Sequence, residues 1–166
     1  MDKALYTAGM DDLIGDDARI GAGAIIGDMC SIRDDATIGD NVIIGDYVHI
    51  ADNVVIEDDV IIKSYVSIRN DAIIKSGTVI GTKCIIGSRS YLGSMSYIGV
   101  WVQVGDDAKI GDHTCVKEGS RIGNKCGVGN NCVVGKKVRM VNTPRRKVGP
   151  RIPDGVTLPD ESRITN

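Results

Sequence analysis

The chain has 166 residues, a formal net charge of −2 and 42% apolar residues, which suits one domain with a real core. Its 21 Gly, its lack of Phe and its 4% aromatic content exclude an ordinary ring-filled globular interior. Five Cys without CxxC or zinc-ligand spacing point to a reduced, cytoplasmic protein with small buried thiols and no resident metal.

From the first residue, no charged n-region is followed by an apolar h-region, so no secretory signal is expected. No apolar run approaches the roughly 18 residues of a membrane span, and no membrane partner is expected. Residues 1–60 carry 14 Asp/Glu against 3 Lys/Arg, and residues 61–166 carry 8 against 17. Asp-rich turns account for part of that polarity, and an anion site toward the basic end is the functional counterpart. Without a continuous basic stripe, a nucleic acid polymer is not the expected partner.

Residues 1–13 are expected to form an N-terminal cap, because the end of a repeated strand stack exposes backbone edges. From Ile14 to Met140, every sixth residue is aliphatic, 22 in unbroken register. A small or β-branched residue sits two positions before most anchors, as in Ala18, Ala24, Cys30, Ala36 and Val42. Cys30, Cys84, Cys126 and Cys132 fall in this slot, so packing explains them better than redox chemistry. Gly commonly follows the anchor and Asp or Asn follows Gly, which are turn residues. Two inward residues around one outward residue is strand periodicity. Such short strands, bent at regular corners and stacked, predict a β-solenoid over residues 14–141.

Sequences such as IGDNVI (38–43) and GDDAKI (105–110) resemble the hexapeptide-repeat superfamily. The resemblance implies an all-β, left-handed parallel β-helix of about seven triangular coils, three hexapeptides to a coil, assembled as a homotrimer. Sorting the residues before the anchors with a period of 18 gives three faces. The first holds Ile25, Ile43, Ile61, Val79, Tyr97, Cys115 and Val133. The second holds Arg19, Thr37, Val55, Ile73, Tyr91, Lys109 and Gly127. The third holds Leu13, Ser31, His49, Ser67, Ile85, Gln103, Arg121 and Arg139. The first face is apolar throughout and is the expected trimer interface. Residues 142–166 contain four Pro and a basic cluster, and are expected to leave the coil, then return as a final coil or cap near Ile152, Leu158 and Ile164.

Two candidate sites emerge. One corner stacks Met29, Tyr47, Tyr65, Lys83 and Trp101 at 18-residue intervals, with Lys63, His49, Ser67 and the column-mates Arg33 and Arg69 nearby. Rings beside cations suit a nucleotide-like anion, since bases stack on aromatics and Arg forks onto phosphate. Stacking of the rings on one another is the structural alternative. The second candidate is His49. The stretch GDYVHIADN (45–53) resembles sugar N-acetyltransferases of the superfamily, which implies a helper-like His49 and an acetyl-CoA donor. In those relatives the catalytic His lies about nine residues earlier, and this chain has Asp40 there. His113, beside Asp112 at another corner, lies too far from His49 to share a substrate atom.

Three functions remain open at this level. The first is a trimeric, non-catalytic binder needing no cofactor, resembling in architecture the phage β-helix proteins that sequester cyclic nucleotide immune signals in a host cytoplasm. The second is an acyl-CoA-dependent acyltransferase using His49. The third is a structural subunit. Fold alone does not choose among them.

Overall fold

The computed structural model describes residues 13–141, 151–152, 156–158 and 163–165. Within these, strands two or three residues long recur every six residues from β1 (Leu13–Ile14) to β22 (Arg139–Val141). They stack into three parallel sheets in which each residue pairs with the one 18 positions on, for example Ser31 with His49 and His49 with Ser67. Twenty-two strands on three faces make about seven triangular coils. Three more strands, β23 (Arg151–Ile152), β24 (Thr157–Leu158) and β25 (Arg163–Thr165), add a rung to each sheet on β20 (Gly127–Val128), β21 (Val133–Val134) and β22. Leu13 belongs to β1 and pairs with Ser31. Residues 1–12 of the expected cap and residues 142–150 of the expected excursion lie outside the described residues.

The six-residue period dictates this core. The anchors from Ile32 to Met140 are at most 4% exposed, and the slot residues Ala36, Val42, Val54 and Ala72 are fully buried beside them. Each buried Ile contributes roughly 1.5–3 kcal/mol. From Gly23 to Lys137 the third residue of each corner enters the left-handed region, with φ of 53–62° for the non-glycine residues. Asp and Asn take this conformation readily, whereas larger side chains pay for it.

Gly and Asp at the corners act together across coils. The Asp40 carboxylate accepts the N–H of Ala22 (2.7 Å), Asp46 that of Asp28 (3.0 Å) and Asp58 that of Asp40 (2.8 Å). Each such oxygen lies over the glycine one coil below, where a Cβ on Gly27 or Gly39 would come within 2.4 Å of it. The buried slot adds a second set of bonds. Thr78, Ser96, Thr114 and Ser120 donate to the carbonyls of Gly93, Gly111, Gly129 and Gly135 at 2.7–2.9 Å. Cys30 and Cys84 do the same toward Gly45 and Gly99. These thiols therefore pack and donate, and the second role goes beyond the packing expected of them.

Candidate functional site

Chain order around the triangle runs third face, second face, first face, then third again. The aromatic column lies at the corner between the first and third faces. The Tyr47 and Tyr65 rings are parallel within 3° with centroids 5.0 Å apart, and Lys83 Nζ sits 4.6 Å from the Trp101 ring centroid. Met29, Tyr47, Tyr65, Lys83 and Trp101 all have φ between 57° and 62°. Their rings remain open to solvent on the outer side, Trp101 at 61% exposure and Tyr65 at 53%.

His49 and Ser67 are half-buried neighbours on the third face, next to this corner. Among the described residues, no hydrogen bond or ion pair orients the His49 ring. Lys63 opens the corner that ends in Tyr65 and is exposed. Arg33 and Arg69 lie at the far edge of the third face from the rings. They begin the opposite corner, between the third and second faces, four residues along the chain from the aromatic column and at most about 13 Å from it at the rise of a strand. Arg69 turns instead toward Asp106, at 3.7 Å. Ring, lysine, histidine and serine thus share one edge of the third face, and the arginines occupy the other.

His113 lies at the third corner with φ of 54°, and its neighbour Asp112 accepts the N–H of Ser94 at 2.8 Å. Among the described residues, no three His, Cys, Asp or Glu side chains are arranged to hold a metal ion, and no helix is long and apolar enough to cross a membrane. Burial pushes the Cys84 and Cys126 thiols up to about 11. On the first face, Ile25 (51%), Ile43 (42%) and Tyr97 (47%) remain exposed, with Ile61, Val79, Cys115 and Val133 half-buried between and above them.

The stack of short parallel strands places the chain beside known triangular solenoids. It is similar to a UDP-N-acetylglucosamine O-acyltransferase (LpxA) from Moraxella catarrhalis, with 19% identity and a TM-score of 0.70 over 96% of this chain and 65% of that one. A UDP-N-acetylglucosamine acyltransferase from Campylobacter jejuni matches at 19% identity and TM-score 0.47, over 82% of this chain and 65% of that chain. The acetyltransferase domain of PglB from Neisseria gonorrhoeae matches at 17% identity and TM-score 0.40, over 95% and 55%. This chain therefore spans about two thirds or less of the length of these enzymes. No curated protein matches its sequence.

The protein is a hexapeptide-repeat, left-handed parallel β-helix with an acyltransferase-like fold. The model for the hexapeptide repeat of succinyl-transferase matches residues 101–136. The GMPPB C-terminal domain model matches residues 20–117, more than half of the chain, and the chain belongs to that family.

Proposed function

We propose that the chain forms a homotrimer through its first face and binds an anionic, ring-bearing ligand at the corner between the first and third faces, without catalysing acyl transfer. The aromatic column carries this reading. A left-handed backbone costs roughly 1–2 kcal/mol for a side-chain-bearing residue, whereas Asn or Asp occupies it more readily. Ring stacking returns roughly 0.5–1.5 kcal/mol, and an exposed cation–π contact roughly 0.5–1. Tyr47, Tyr65 and Trp101 therefore do little for the fold that Asn would not do, and strain of this kind is retained where a surface is used. Lys63 and Lys83 supply the charge, and His49 and Ser67 supply polar contacts on the adjoining face.

His49 stands between Ser31 and Ser67 without a carboxylate to orient it, which favours a binding role over that of a general base. A cyclic nucleotide is one ligand of the required chemistry, though the named relatives are acyltransferases and lend that choice no support. Five free thiols suit a reducing cytoplasm.

Acyl transfer is the second reading, favoured by those relatives and by the placement of His49 on the face beside the corner. Melting of the purified protein with acetyl-CoA and with cyclic di- and trinucleotides separates the two, because a ligand raises stability by mass action. The expected result is stabilisation by a cyclic nucleotide that Tyr65→Ala abolishes. Stabilisation by acetyl-CoA alone, with acyl transfer lost in His49→Ala, would establish the enzyme. No shift with any of these ligands would leave the structural role.

A further inference from the structure

A second charged surface lies elsewhere. At the C-terminal end of the third face, Arg121, Arg139 and Arg163 occupy successive strands in direct register. All three are exposed, and they span about 10 Å at the strand spacing of a sheet. Like charges directly opposite one another destabilise a sheet. Three other cations meet acids one coil away: Lys75 meets Glu57, Arg89 meets Asp107 at 2.8 Å, and Lys136 meets Glu118 at 2.9 Å. Among the described residues, none of the three stacked arginines has an acidic partner.

Below Arg139 the surface sinks into a depression of about 430 Å³. Arg69 and Arg121 border it, Ile85 contributes apolar surface, and Gln103 and Asn124 add amides. The residue at position 124 is informative. Its side-chain oxygen accepts the N–H of Asp106 at 3.0 Å, the same bond that Asp40, Asp46 and Asp58 make with the coils below them. Asn130 repeats the exchange at the next corner, accepting the N–H of Asp112 at 2.7 Å. The backbone bond is kept and the negative charge is removed, so the fold does not demand the change. At position 124 the exchange takes one carboxylate away from the arginines, while Asp106 stays 3.7 Å from Arg69.

We propose that this end of the third face binds an extended oligophosphate anion, with one phosphoryl group seated between Arg69 and Arg121 and the rest of the chain running along Arg139 and Arg163. Planar guanidinium forks match phosphoryl oxygens, and a ladder of them matches a linear array of such groups. The site is separate from the aromatic corner and does not rest on the reading above.

Calorimetric titration of the full chain at fixed ionic strength tests it, with sulfate, phosphate, pyrophosphate and tripolyphosphate as probes. Affinity is expected to rise with phosphate chain length. Arg121→Gln weakens every phosphate probe by about tenfold, the value of one charge-assisted contact. Arg139→Gln weakens tripolyphosphate and leaves phosphate unchanged, because Arg139 lies beyond the depression. Asn124→Asp keeps the backbone bond, hence an unaltered circular dichroism spectrum, and weakens all the phosphate probes. Tyr65→Ala leaves tripolyphosphate binding intact, so failure of the corner site and failure of this one are read separately. Equal affinity for sulfate and tripolyphosphate, or wild-type titrations from Arg121→Gln and Asn124→Asp, would overturn the proposal.

Discussion

At the scale of single residues, the buried slot shows how a small donor is used. Cys84 donates to the Gly99 carbonyl at 2.9 Å and is fully buried, and that burial raises its thiol to about 11 from an ordinary 9.0. A group whose proton is held more tightly in the folded state stabilises it below the unfolded pKa, and this contribution is lost as pH rises through the folded value. The urea midpoint should therefore fall between pH 9 and pH 11. Cys84→Val should flatten that fall at a modest cost near neutrality, because Val66 and Val102 fill the same slot one coil below and above. An equal slope in the variant would assign the loss to other groups. The sequence disclosed the slot but not its hydrogen bonds, since Ser, Thr, Cys and Val are interchangeable by size and differ only in what they donate.

At the scale of the corner, glycine and carboxylate form one device spread over 19 residues. A Cβ on Gly39 would lie 2.6 Å from the Asp58 nitrogen as well as 2.4 Å from its carboxylate, and backbone cannot swing aside. Gly39→Ala should cost about 1–3 kcal/mol by overpacking, measured by chemical denaturation. Gly119 has φ of +68°, yet a Cβ there would meet only the Lys137 side chain, at 3.3 Å. Gly119→Asn should change stability by less than about 1 kcal/mol, because Asn tolerates that conformation. The glycines were visible in the sequence as turn residues, and GD pairs at 18-residue spacing are the signal of their partner one coil on. The aromatic ladder was legible because identical spacing forces a column. The column of Arg33 and Arg69 was legible by the same spacing, which fixes a column's position along the axis and says less about the width of the face between two columns.

For the whole molecule, the three faces followed from arithmetic, since buried aliphatic anchors at a strict interval leave the chain little other register. The apolar first face is the proposed assembly surface. Its residues span seven rungs, roughly 30 Å, and exposed stripes of that length belong at interfaces. Ile61→Glu, at mid-stripe, should convert the proposed trimer to monomers in analytical ultracentrifugation while leaving the circular dichroism of the coil unchanged. A trimer that survives this change would place the contact on another face. The charge imbalance along the chain was also visible from composition, whereas the arginine column needed the last strand, β25, which lies beyond the Pro-rich segment and pairs with β22 at a spacing of 24 residues where earlier rungs use 18.

The pairing of each residue with the one 18 positions on gives the molecule a reading frame in space. Removing one whole coil, such as residues 39–56, shortens the prism and keeps every later side chain on its own face. Removing a single hexapeptide preserves the core equally well, because one anchor is as good as the next, but turns everything downstream by a third of a revolution. The apolar stripe then breaks between two faces. Function in this architecture is thus protected by a count of three that the hydrophobic core cannot itself detect, and a frame-shifted variant should fold and still fail to assemble.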